Sequence, residues 1–252
     1  MQNKSLDNHI GIDAKFYDSH SGLFQKDFEY YKEFIKGKRI NKALEIGVGT
    51  GRIIAPLAKT FNKILFYGLD CSEEMLSICS QKTEGLSNIS LHNNNMIDFQ
   101  FDNKFDLIYI PYSTFMYCYT IENQLSTLKN LKKALNNNGN ILISVQNYDI
   151  DIIKKRNKNI RQINFIHNNT NYQKKFYEEH DFKKRISTIY LDYYQDEIKI
   201  NTSSFVQKMK YFLYDEFIQL SKLATIKIIS CDRNYKFNCT DDEGDLTFVL
   251  QQ

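Results

Sequence analysis

Residues 42–57, KALEIGVGTGRIIAPL, constrain the fold of this chain more than any other stretch. Ala43 to Ile46 read as the end of a buried parallel strand and Gly47-Val48-Gly49-Thr50-Gly51 as a tight loop. Residues 52–59 read as the first turns of a helix. Three glycines at alternate positions let the backbone take positive φ and let a ligand lie directly against the main chain. The N-H groups at the start of the following helix suit a carboxylate or phosphate. A dinucleotide fingerprint, G-x-G-x-x-G beginning at Gly47, would need glycine where Arg52 stands, so that frame fails. What remains is E-x-G-x-G-x-G, a glycine loop in an α/β protein.

The segments beyond the loop alternate strand and helix. Residues 64–70 (ILFYGLD) form a second strand ending in Asp70, 19 residues beyond Gly51. That position suits a carboxylate accepting hydrogen bonds from two ribose hydroxyls. Ser72, followed by Glu73 and Glu74, caps the next helix. Residues 89–92 make a third strand and 105–110 (FDLIYI) a fourth. Residues 125–135 (LSTLKNLKKAL) make an amphipathic helix, Asn138-Gly139 a turn, and 140–145 a fifth strand. The order predicts α/β class, a doubly wound sheet. Upstream, residues 16–35 read as helical with Phe24, Phe28, Tyr31 and Ile35 on one stripe, behind a flexible segment at 1–14. From Asp149 the composition turns to alternating Tyr, Ile, Thr and Phe. Residues 161–166, 172–180, 185–194 and 197–210 predict an antiparallel meander. A helix at 213–220, with Leu213, Phe217 and Leu220 on one face, and strands at 225–231 and 246–250 complete the sheet. The organisation that follows is a core at 15–149, a β insertion at 150–211, and a return to the core at 212–252.

The E-x-G-x-G-x-G loop, Asp70 and this element order resemble class I S-adenosylmethionine-dependent methyltransferases of the small-molecule kind, over residues 15–149. The resemblance implies a seven-stranded, mostly parallel Rossmann-like sheet with the meander inserted as a lid over the acceptor. It also implies that Glu45, Gly47, Gly49, Gly51 and Arg52 receive the methionine portion of S-adenosylmethionine, and that Asp70, with Cys71 beside it, holds the ribose. Tyr17, in a Tyr17-Asp18 pair, would hydrogen-bond the cofactor's carboxylate and close the site from above. Asn95 and Met96 would meet the adenine. The family places an Asp where Asn95 stands, but an amide oxygen still accepts from an amino group. Ile110 ends the fourth strand, and residues 111–117 would face the transferred methyl. The N-P-P-Y motif of enzymes acting on adenine or protein amides is replaced by Ile110-Pro111-Tyr112.

For the chemistry, Tyr117 and Tyr112 are candidates to orient the acceptor or take its proton. His180 and His20 are candidate bases, since imidazole titrates near neutrality. Arg161, Lys174, Lys175, Arg185 and Arg233 either favour an anionic acceptor or form a solvated strand face. A net charge of +3 on 33 basic and 30 acidic residues is nearly balanced and gives no global footprint for nucleic acid. Five cysteines without a C-x-x-C pair indicate no metal site and fit a reducing, cytoplasmic setting. No apolar run is long enough for a membrane span. The expected activity is methyl transfer from S-adenosylmethionine, leaving S-adenosylhomocysteine. The expected acceptor is a hydroxyl, amine or phosphate-type oxygen of a small metabolite, anionic or nucleotide-linked, such as a sugar or capsule precursor of polysaccharide biosynthesis. The expected chain is a monomer or homodimer with no nucleic-acid or membrane partner. The alternatives are an RNA or protein methyltransferase and a non-catalytic cofactor-binding protein.

Overall fold

Strand β1 (Lys42–Ile46) lies inside a seven-stranded sheet, and Ala43, Leu44 and Ile46 are fully buried on its two faces. A strand covered on both sides reads as a continuous apolar run, which is why KALEI does not alternate. The computed structural model describes residues 10–21, 25–201, 204–237 and 244–252. The remaining strands of the sheet are β2 (Leu65–Asp70), β3 (Ile89–Asn93), β4 (Phe105–Ile110), β5 (Leu135–Val145), β11 (Lys227–Arg233) and β12 (Leu246–Gln251). Their order is β11-β12-β5-β4-β1-β2-β3. The pairs among β1 to β5 are parallel, whereas β12 runs antiparallel to β5 and β11 antiparallel to β12. The direction of winding reverses between β1 and β4, so the carboxyl ends of these two strands bound the crevice where such sheets bind ligands.

Each face of the sheet carries its own core. One gathers Phe105, Leu128, Phe212, Phe217 and Phe248, with Phe217 stacked on Phe248 at 3.9 Å between ring centroids. The other gathers Tyr30, Tyr31, Ile54, Leu57 and Phe66. The covering helices are α2 (Lys26–Ile35), α3 (Ile54–Thr60), α4 (Glu73–Lys82), α5 (Ile121–Ala134) and α7 (Tyr214–Leu223), preceded by α1 (Ile10–Ser21). None of the described helices is long and apolar enough to cross a membrane.

The meander is a separate antiparallel sheet. It comprises β6 (Arg161–His167), β7 (Thr170–Asp181), β8 (Ile186–Gln195) and β10 (Phe205–Lys210) in the order β10-β8-β7-β6, with β9 (Ile198–Lys199) on β8. Register sets Lys174 opposite Tyr193, Phe176 opposite Leu191 and His180 opposite Ser187. Because side chains alternate, these residues share one face. That inner face buries Phe165, Leu191, Tyr193 and Phe205 around Phe16 of α1.

Several boundaries differ from the sequence reading. The helix predicted over 16–35 is two helices, α1 and α2, because Phe16 packs into the meander while Tyr31 and Ile35 pack on the sheet. Ile10 already lies in α1, so residues 10–14 of the predicted flexible segment are helical, while 1–9 and Phe24 lie outside the described residues. The predicted turn at Asn138-Gly139 falls inside β5. Pairing passes from Phe105 with Leu135 to Leu107 with Asn140, so residues 136–139 bulge against one residue of β4. The run 197–210 is divided into β9 and β10. A short helix, α6 (Ile150–Arg156), capped by Asp149 through the Asp151 and Ile152 N-H groups, was not predicted.

Candidate active site

The glycine loop turns back over the end of β1. The Gly47 and Val48 N-H groups both donate to the Leu69 carbonyl, at 2.7 and 3.0 Å. Gly47 has φ of 71°, and a Cβ there would fall 2.3 Å from Thr114 Cγ2. Gly51 has φ of 79°, and a Cβ there would fall 2.7 Å from Cys79 Sγ. Both positions therefore exclude a side chain by conformation and by space. Around Gly49 the corresponding volume is open.

Asp70 ties the loop to α4. One carboxylate oxygen accepts from the Gly49 N-H at 2.8 Å and the other from the Ser72 N-H at 3.0 Å. With three main-chain N-H donors around it, the carboxylate keeps a lone pair for a hydroxyl donor. Burial pushes the Asp70 carboxyl above its ordinary value, and the N-H groups of Ser72, Gly49 and Cys71 oppose that rise. The Ser72 hydroxyl caps α4 by accepting from the Met75 N-H. Cys71 is exposed beside it. Beneath the loop, Glu45 is buried, and among the described residues neither its Oε2 nor the Tyr109 hydroxyl has a hydrogen-bond partner that meets normal geometry. Burial drives the Glu45 carboxyl well above the carboxylate range, against the opposing influence of Tyr109 beside it. An orphaned buried oxygen, open space at Gly49 and an acid at the tip of β2 fit a ligand that combines polar donors with a ribose.

At the carboxyl end of β4, Ile110 is fully buried and packs in the core of one sheet face. Tyr112 and Ser113 follow with φ of 47° and 69°, two left-handed residues in succession. They throw the chain into a 3-10 turn, Thr114–Tyr117, that packs on Gly47. Strain of this kind concentrates at functional sites. Tyr117 is 38% exposed. Its phenol lies well above the ordinary range because of burial, with the charges of Asp13 and Asp70 adding to the effect. Tyr17 is raised by burial against the opposing Arg52, with Tyr112, Tyr117 and Asp13 also in its field. Tyr17, Tyr112 and Tyr117 therefore lie within one another's electrostatic reach, from α1 and from the chain that follows β4.

Not every predicted residue joins them in the way foreseen. Arg52 lies in the turn before α3, and its guanidinium is taken up by Asp27 of α2, with one contact at 2.8 Å. Asp27 is fully buried and requires that countercharge. Arg52 also stacks over Tyr112, 5.1 Å from the ring centroid. Asn95 is exposed, and its side-chain oxygen accepts from the Ile97 N-H at 3.0 Å, closing an Asx turn that holds half-buried Met96. His180 is apart from the three tyrosines. Its Nδ1 lies 2.8 Å from Ser187 Oγ, and Tyr148, Phe182 and Tyr211 surround its ring.

Sequence reasoning named His20 and Lys174 but not their grouping with Asp13 and Tyr193, which stands on α1 and the inner face of the meander. Asp13 is buried and receives Lys174 at 3.2 Å and the Tyr193 hydroxyl. His20 Nε2 lies 3.0 Å from the Tyr193 hydroxyl and 3.7 Å from Asp13. Burial lowers the His20 pKa, opposed by Asp13, which favours a neutral imidazole. Burial alone would raise Asp13, but His20, Lys174 and Tyr193 outweigh it and hold the carboxylate ionised. Asp18, the partner of Tyr17 in sequence, accepts from the Thr50 hydroxyl at 2.8 Å and pairs with Lys82, fastening α1 to the loop and to α4. A cleft of about 660 Å³ opens between α1 and α4, lined by Asp18, Ser19, Glu73, Glu74 and His167. Neither the glycines nor Asp70 line it, so it lies beside the loop site.

A sequence model of the methyltransferase domain matches residues 43–139, which run from β1 into β5. Residues 43–139 carry a methyltransferase domain. The chain is 27% identical, over 149 residues, to a malonyl-[acyl-carrier protein] O-methyltransferase of Bacillus cereus. That alignment covers 57% of this chain and 54% of the relative, so the match spans about half the relative's length. In structure it resembles an S-adenosylmethionine-dependent methyltransferase from Clostridium acetobutylicum, with a TM-score of 0.76, 16% identity and coverage of 95% and 96% of the two chains. It also resembles the sugar N-methyltransferase KedS8 from Streptoalloteichus sp, with a TM-score of 0.71, 15% identity and coverage of 94% and 92%. At such identities the likeness shows the shared fold. The meander lies within it, since both alignments span nearly the whole chain.

Proposed function

We propose that this methyltransferase transfers a methyl group from S-adenosylmethionine to an amine or hydroxyl of a small, sugar-like acceptor held between the 3-10 turn and the inner face of the meander. The observation that carries the proposal is the placement of Tyr117. It ends the 3-10 turn that follows β4, and that turn packs on Gly47 of the loop on one side and against β10 of the meander on the other. Residues 150–211 then act as the lid, and 15–149 with 212–252 as the catalytic core. The sugar N-methyltransferase likeness supports the acceptor class.

When bound, the cofactor supplies an electrophilic methyl on a sulfonium, so the protein's task is alignment and removal of a proton. Asp70 would accept the ribose hydroxyls, the loop around Gly49 would carry the methionine end with the Glu45 oxygen beneath it, and the Asn95 turn would meet the adenine. Tyr17 closes the loop side. Tyr117, held as a phenol, accepts the hydrogen bond of the acceptor's N-H or O-H and orients its lone pair. The released proton passes to the pair formed by His20 and Asp13, where a neutral imidazole stands beside an ionised carboxylate. Tyr112 braces the turn through its stacking on Arg52. The test is incubation with S-adenosylmethionine and a panel of amino and neutral sugars, free and nucleotide-linked, with products read by mass spectrometry. Methylation of a sugar supports the proposal. Turnover only on protein or RNA, or on nothing in the panel, refutes it.

A further inference from the structure

A second groove, of about 360 Å³ and lined by none of the loop glycines nor by Asp70, lies between α5, α7 and the turn joining β7 to β8. Its walls are apolar at Ile121, Leu220 and Leu223, and its rim is basic at Lys183, Lys184 and Lys210. The size falls in the small-ligand range. Ile121 and Leu223 are both more than half exposed there, a surface that an apolar ligand body would cover.

The rim is built by a pinned turn. Asp181 Oδ1 accepts the N-H groups of Lys183 and Lys184, at 3.1 and 3.0 Å, and Arg185 adopts φ of 54°. Lys210 is buried to 8% exposure and donates to the Lys184 carbonyl at 2.9 Å and to Glu216 at 3.1 Å. Arg185 meets the other oxygen of Glu216 at 2.8 Å, while its buried Nε has no partner among the described residues. Glu216 is thus shared by two cations, and Lys184 lies 3.7 Å from Asp181. Lys184, Arg185 and Lys210 pair with Asp181 and Glu216, three positive charges against two negative, and Lys183 adds a fourth positive charge on the rim. Lys210 retains one of its three donors beyond the two described. An anchored excess of positive charge beside an apolar wall is complementary to an anionic group carried on an apolar body.

We infer that this groove is a binding site, separate from the cofactor site, for a small organic phosphate whose phosphate sits on Lys183, Lys184 and Lys210 and whose apolar part lies on Ile121, Leu220 and Leu223. The test is calorimetric titration of the full chain with phenyl phosphate, with phenol and inorganic phosphate as single-feature controls. Amide shifts of residues 183–185 and 220–223 locate the site. Saturable binding of phenyl phosphate, tighter than either control and weakened about tenfold in the Lys183→Ala/Lys184→Ala double variant, supports the inference. Lys210→Met is expected to weaken it comparably. The exposed double variant carries the test if Lys210→Met fails to fold. Absence of saturable binding, or binding unchanged in the double variant, overturns the site. So does binding lost in Asp70→Ala, which would place the phosphate at the glycine loop. S-adenosylhomocysteine titration of the same double variant is expected to be unchanged, so failure of the groove and failure of the methyl-transfer proposal read out separately.

Discussion

Tyr117 and Gly47 are the residues whose replacement separates chemistry from architecture. Tyr117→Phe keeps the ring and removes the hydroxyl, for which no partner occurs among the described residues. Turnover is expected to fall by about ten- to a hundredfold with stability unchanged, since one polar contact to the acceptor is lost. Full turnover in steady-state assays would remove Tyr117 from the reaction. Gly47→Ala forces a methyl toward Thr114 and into a left-handed conformation, so it is expected to cost about 1–3 kcal/mol of stability in urea unfolding. A neutral result there would contradict the packing of the 3-10 turn on the loop. At this scale the loop glycines and Asp70 were legible because their spacing is local. The capture of Arg52 by Asp27 was not, because a buried carboxylate 25 positions away reveals its need for a countercharge only in three dimensions. Asp13, His20 and Lys174 were likewise illegible as a group, since 161 positions separate Asp13 from Lys174.

At the scale of elements, α1 is the joint between the catalytic core and the meander, and its attachment depends on pH. His20 has a folded pKa below the 6.5 of a free imidazole, so proton uptake favours the unfolded chain as pH falls through that value. Asp13 has a folded pKa below its usual 3.8, so its contribution is present above that range and is lost as pH falls further. Both signs make acid weaken the joint, with His20 acting first. His92 and His180 are lowered as well and add to the same slope. Tm is therefore expected to fall between pH 7.5 and 5.5, and His20→Gln to flatten part of that fall. Equal slopes in the two proteins would show that His20 is not held neutral. Strands and helices with strong periodicity were legible at this scale, as the match of β1, β4, α5 and β12 shows. The β5 bulge was not, because Asn-Gly is also a good turn and only pairing with β4 decides between the two.

For the whole molecule, the doubly wound sheet with its inserted meander follows from element order, and the return of α7 and β12 to the sheet closes the core. Phe217→Ala, which removes the ring stacked on Phe248 across that closure, is expected to cost about 3–5 kcal/mol in urea unfolding. A loss below about 1 kcal/mol would mean that the carboxyl-terminal elements do not complete the core. The acceptor is the part least written in sequence, because under the proposed function it would be selected by a surface assembled from α1, the 3-10 turn and the meander. The central claim is that the loop and Asp70 hold S-adenosylmethionine, and calorimetric titration with S-adenosylhomocysteine tests it most directly. Saturable binding at one site per chain is predicted, weakened by roughly 1.5–3 kcal/mol in Asp70→Ala through loss of the ribose carboxylate. No binding by the wild type, or equal affinity in the variant, would contradict it.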